Sequence, residues 1–116
     1  MEVTQQNPDA YAEPIEQLTR VLASIPAIGA TDGMKEHPAA LHYFAGATDI
    51  FICEYDGNNE MFGFTIFNGD YEMAEYGYIA LSEIRRIAVM NLDYYWDEQS
   101  IEAARYKLYP HYFTKP

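Results

Sequence analysis

Positive charge is what this 116-residue chain has least of: 7 Lys and Arg stand against 18 Asp and Glu, a net charge of −11. Coulomb repulsion from that excess excludes binding to a phosphate backbone over the general surface. Cysteine is scarcer still. Cys53 is the only one, so no internal disulfide and no thiolate metal cage can form. Inside the apolar run Ile50-Phe51-Ile52-Cys53 it reads as a small core residue, with a thiol that burial dulls. No apolar stretch approaches the roughly eighteen residues of a membrane span. Met1-Glu2-Val3-Thr4-Gln5-Gln6 has neither the basic start nor the apolar centre of a secretory signal, so a cytoplasmic location is expected. No period of about 20–50 residues repeats, which excludes a solenoid.

What remains is enough for one core. Of all residues 49% are hydrophobic and 16% aromatic, which excludes a disordered tail, and the length excludes a large two-domain enzyme. Residues 1–12 are polar and expected as a flexible lead-in, with 13–116 forming a single domain. Glu13-Pro14 opens a helix, Ile15, Leu18, Val21, Leu22 and Ile25 form its apolar stripe, and Pro26 ends it. Ala27 to Pro38 carries Gly29, Gly33 and Pro38 and reads as a loop.

From Ala39 to Ala80 the pattern turns to strands. Leu41–Ala45, Ile50–Tyr55, Glu60–Phe67 and Tyr76–Ala80 are the candidates. Asp56-Gly57-Asn58-Asn59 and Asn68-Gly69-Asp70 are the turns between the last three. Ser82 is placed to cap a helix over Glu83–Val89, and Asp97 one over Glu98–Leu108 that Pro110 stops. The fold class expected is α+β: an antiparallel meander of about four strands with one face packed against two or three helices.

Catalytic patterns are weak. His37, His42 and His111 lack the spacing of a helical metal pair, although His42 and Asp49 could meet across a turn. There is no nucleophile elbow, no phosphate-cradling loop and no dinucleotide fingerprint. Asp70 and Glu72 are neighbouring turn acids rather than an evident glycosidase pair. The Arg85-Arg86 doublet is too small for a nucleic-acid patch against so much negative charge. The expectation is a protein with no enzymatic activity, no cofactor and no metal.

A resemblance gives context. Ile25-Pro26, the crossing to Pro38 and His42-Tyr43-Phe44 come first. Cys53-Glu54-Tyr55-Asp56 then leads to Met61-Phe62-Gly63-Phe64, and Glu75-Tyr76-Gly77-Tyr78-Ile79-Ala80-Leu81-Ser82-Glu83-Ile84 follows. Together these resemble a family of uncharacterised small domains found on plasmids, phages and other mobile elements. That family has an aromatic strand ending in an acid, an F-G-aromatic step and a G-Y-x-x-L-x-E-L run. Leu92-Asp93-Tyr94-Tyr95-Trp96 lies where it has an arginine–aspartate–aromatic segment. This chain departs in having Asp49-Ile50-Phe51-Ile52 in place of a tryptophan pair, and Asn91-Leu92 in place of a basic residue before Asp93. The resemblance implies a mobile-element origin and no particular chemistry.

Charge placement then points to a function. Between Lys35 and Arg85 there is no Lys or Arg, but there are nine acids: Glu36, Asp49, Glu54, Asp56, Glu60, Asp70, Glu72, Glu75 and Glu83. A field of one sign steers a basic partner and repels nucleic acid. The expected surface is Glu54, Asp56, Glu60, Asp70, Glu72 and Glu75, with Tyr71 and Tyr76 as aromatic anchors. In the context of the resemblance, the expectation is an inhibitor of a host defence complex that targets nucleic acid, of anti-CRISPR or anti-restriction type. It would present carboxylates in place of DNA phosphates to the basic cleft of a nucleic-acid-binding protein or nuclease complex in the host cytoplasm. Direct nucleic-acid and membrane partners are not expected. The competing expectation is an accessory or structural protein that works by protein–protein contact or as a homodimer through strand edges, its acids serving only solubility.

Overall fold

The computed structural model describes residues 22–86, 90–93 and 96–116. Residues 22–24 are helical. After them come β1 (Pro38–Ala39), β2 (Leu41–Ala45), β3 (Thr48–Tyr55), β4 (Glu60–Ile66), β5 (Glu75–Ala80), α1 (Leu81–Arg86), β6 (Asn91–Leu92), β7 (Gln99–Ser100) and α2 (Ile101–Leu108). The α+β expectation holds. Strands β2 to β5 form the antiparallel meander of a five-stranded sheet of order β5-β4-β3-β2-β6, and β1 pairs with β7 separately.

Turn chemistry sets the meander. Asp56 Oδ1 accepts the backbone N–H groups of Asn58, Asn59 and Glu60, and Gly57 takes the positive φ of 85° that closes the β3–β4 hairpin. Asn68 and Gly69 also have positive φ, 50° and 72°. The Gly69 N–H donates to the Ala47 carbonyl, which ties this turn to the β2–β3 turn.

The sequence predicts one covered face, but both faces are covered. β3 is buried at every position except Tyr55, and its side chains feed two cores. Ile50 and Ile52 join Ile25, Leu41, Met61, Leu81 and Ile84 on the α1 side. Phe51 and Cys53 join Ala39, Phe64, Ile66, Ile101 and Ala104 on the α2 side. A strand sandwiched between two layers needs an uninterrupted apolar run, which Ile50–Cys53 supplies.

A β-bulge breaks the alternation. Register steps from Ile52↔Gly63 to Glu54↔Phe62, leaving Cys53 as the extra residue. A Cβ at Gly63 would lie 2.0 Å from the Phe51 carbonyl oxygen, so only glycine fits there. Past the bulge, Cys53 and Glu54 both contact Thr31 in the 27–34 loop.

Element boundaries differ where tertiary pairing takes over. α1 starts at Leu81, and Ser82 is not its cap: Asn59 accepts the Leu81 and Ser82 N–H groups through its carbonyl and Oδ1, at 2.7 and 2.8 Å. α2 is capped by Ser100 rather than Asp97, its Oγ accepting the Ala103 N–H at 3.0 Å. Gln99 and Ser100 are held extended by pairing with Ala39 and Pro38, so the helix begins later. Asn91–Leu92 adds a fifth strand against Tyr43 and Phe44. The lead-in 1–12, the helix over residues 13–21, the 87–89 end of α1 and Tyr94-Tyr95 lie outside the described residues.

Candidate functional site

The expected surface residues separate into buried and exposed groups. Glu54 belongs inside: it is 1% exposed and accepts the N–H groups of Gly29 and Thr31 at 2.7 and 3.0 Å, together with the Thr31 hydroxyl. Burial raises its pKa, but the Thr31 hydroxyl and the two N–H groups outweigh it and hold the carboxyl below its usual range. The bulge at Cys53 brings it to the same side as the Cys53 thiol, against Thr31, and it anchors the 27–34 loop. Tyr76 is half-buried among Phe62, Phe64 and His37, and its hydroxyl donates to Glu102. Tyr71 packs against Tyr109, His111 and Tyr112 with centroids 4.7–5.2 Å apart. It fastens the tail after α2 to the β4–β5 loop.

Asp56, Glu60, Asp70, Glu72 and Glu75 are exposed. They do not crowd one spot. The seven residues of β4 run between the two turns, a length of roughly 20 Å. Both turns flank β5: Asp70, Glu72 and Glu75 lie at its start, and Asp56 and Glu60 beside its end. Glu83 follows on α1, also exposed, a sixth acid that the expected site did not include.

The strand these acids bracket has a strand neighbour on one side only among the described residues. The Leu81 N–H bonds to the Asn59 carbonyl. Antiparallel alternation therefore turns the backbone groups of Ile79, Gly77 and Glu75 toward β4, and those of Tyr76, Tyr78 and Ala80 outward. Two concavities flank this edge. One, of about 270 Å³, is formed by Phe67, Met73, Gly77, Ile79 and Ile84, with Glu75 and Glu83 among its walls. The other lies by Asp56, Glu60, Tyr78 and Ala80. The three most exposed large apolar side chains among the described residues are here as well: Met73 at 75%, Tyr78 at 63% and Phe67 at 60%.

Of two polar clusters, the sequence offered only the meeting of His42 and Asp49 across a turn. The His42 ring stacks on Phe51 at 4.8 Å and tilts against Trp96 at 4.9 Å. Its Nε2 faces Asp49 Oδ1 at 2.7 Å, and its Nδ1 faces Asp93 Oδ2 at 3.1 Å. Burial works against the imidazolium, but the two carboxylates prevail and raise the His42 pKa above 6.5. Because the carboxylates sit on opposite ring nitrogens they do not converge, and no group of three or more metal-ligating side chains is found among the described residues. On the α2 side, Glu102 accepts the His37 N–H at 2.7 Å and faces His37 Nδ1 at 3.0 Å, fixing the loop before β1 to α2. Asp93 and Glu102, 51 and 65 residues from their histidine partners, leave no local spacing to read.

Compared with known proteins, the chain matches no family model, no curated protein and no solved structure. No helix of the described residues is long and apolar enough to cross a membrane.

Proposed function

We propose that this chain is a non-catalytic acidic binding protein of a mobile element, which inhibits a host complex that targets nucleic acid by occupying its basic cleft. The observation that carries this reading is the pair of exposed carboxylate groups that bracket β5: Asp70, Glu72 and Glu75 at its start, and Asp56 and Glu60 beside its end with Glu83 on the helix that follows. The two groups lie roughly 20 Å apart along the strand. With no Lys or Arg between Lys35 and Arg85, this side attracts a basic protein. The mobile-element setting comes from the sequence resemblance alone.

Self-association is a second reading, favoured by the exposed Phe67, Met73 and Tyr78 on the same edge. One experiment separates them. Wild type and a variant with Asp56, Glu60, Asp70, Glu72 and Glu75 changed to Lys are used as bait in a bacterial lysate with active CRISPR and restriction systems. The retained proteins are washed at low and then high salt. A basic nucleic-acid-binding complex that wild type holds at low salt, high salt removes and the variant never captures supports the inhibitor. Retention indifferent to salt and to charge reversal contradicts it.

A further inference from the structure

We infer that β5 is a docking strand: an extended segment of the partner, alternating basic and apolar side chains, adds to the sheet beside Tyr76, Tyr78 and Ala80 and fills the groove over Gly77. This rests on the acidic-binding reading and specifies how that surface grips.

Three observations converge on it. The first is the edge itself. β5 pairs with β4 without a register break from Glu75 to Ala80, and it carries none of the prolines, lysines or bulges that usually blunt an exposed edge. The opposite edge of the sheet, β6, is only two residues long. The second is Gly77. It has no positive φ, and a Cβ built on it meets nothing within 4 Å. Folding does not require glycine there, and a glycine inside a strand weakens it. An empty position at the floor of a groove is what a neighbouring strand needs to bring its own side chain close.

The third observation is charge, and it selects the occupant. Side chains of an added strand alternate between faces. Apolar ones on the Gly77 face meet Phe67, Met73 and Ile79 in the concavity that Glu75 and Glu83 also wall, and basic ones on the opposite face come within reach of Asp56 and Glu60 beside Tyr78 and Ala80. A second copy of this chain would set the same carboxylates against one another across the new pairing, so a basic segment is favoured.

The test is a titration of wild type, at low salt, with a fluorescent ten-residue peptide of alternating lysine and valine. A version N-methylated at alternate amides, which cannot form strand hydrogen bonds on one side, is titrated in parallel. Wild type is expected to bind the lysine–valine peptide and to lose at least about tenfold in affinity for the N-methylated one. Gly77→Val should fold as wild type does, because the space is open and valine suits a strand, and should lose at least about tenfold. Equal binding of both peptides by wild type, or of the first by Gly77→Val, would show that charge alone holds the peptide. Strand addition would then be wrong while the acidic reading stood. No binding of the lysine–valine peptide would overturn both. Sedimentation of wild type as a dimer that Gly77→Val abolishes, without peptide binding, would make the occupant a second copy and overturn the inference. The N-methylated peptide decides the matter on wild type alone should Gly77→Val fail to fold.

Discussion

Gly63 and Gly77 face each other across β4 and β5, and each lies between two aromatic residues. At Gly63 the bulged backbone of β3 fills the place a side chain would take, while at Gly77 that place is empty. The difference extends to the strands around them. β3 is enclosed on both faces, and its acids are committed: Glu54 to the 27–34 loop, Asp49 to His42. β5 has a strand neighbour on one side only among the described residues, an exposed Tyr78, and beside it exposed Phe67 and Met73 and the solvent-facing acids of its flanking turns. One half of the sheet is enclosed by its own chain, while the other leaves apolar and acidic groups in solvent.

The largest effect that follows is at the glycine pair. Gly63→Ala should cost about 3 kcal/mol or more, since the methyl has only backbone to push against. Gly77→Ala should change stability by less than about 1 kcal/mol. Urea unfolding of the two variants side by side checks this, and comparable losses would erase the contrast.

Next comes Glu54. Glu54→Gln should cost about 1.5–3 kcal/mol by trading charge-assisted hydrogen bonds for neutral ones and turning an amide toward N–H donors. Its pKa is depressed in the folded state, so the stability it supplies is complete above the unfolded-state value and lost as pH falls through the folded one. Wild type should therefore weaken on acidification more steeply than Glu54→Gln, as read by urea midpoints across the acid range.

His42 should show the opposite sign. Its folded-state pKa is raised above 6.5, so its contribution is full below that value and lost as pH rises through the folded pKa. The stability gap between wild type and His42→Gln should narrow over that rise. A gap that widened would contradict the Asp49–His42–Asp93 arrangement. The smallest effects belong to the exposed acids: Glu72→Gln and Glu75→Gln should leave the unfolding midpoint nearly unmoved while reducing the salt dependence of partner binding.

Much of the fold was legible because its causes are local. Asp56-Gly57-Asn58-Asn59 announces the hairpin, Ile50–Cys53 is apolar enough for a central strand, and Pro26 and Pro110 stop helices. What stayed hidden depends on residues far apart in the chain. Ser100 rather than Asp97 caps α2 because Gln99 and Ser100 are drawn into pairing with β1. Glu54 looked like one more surface acid, since a bulge is set by register and not by composition. The acids of the site were countable in the sequence, but their arrangement along one edge strand was not, because it needs the order of strands. Gly63 and Gly77 read alike until the backbone across from each was in place.

The most direct test of the open edge is to locate a bound basic segment. Amide spectra of isotope-labelled protein, recorded while the lysine–valine peptide is added, report each N–H separately. The outward amides of Tyr76, Tyr78 and Ala80 should shift and gain protection from solvent exchange, with smaller changes at Glu75 and Glu83 and none at Phe51 or Ile52. Shifts spread over exposed acids throughout the surface, with these three amides unmoved, would contradict the account.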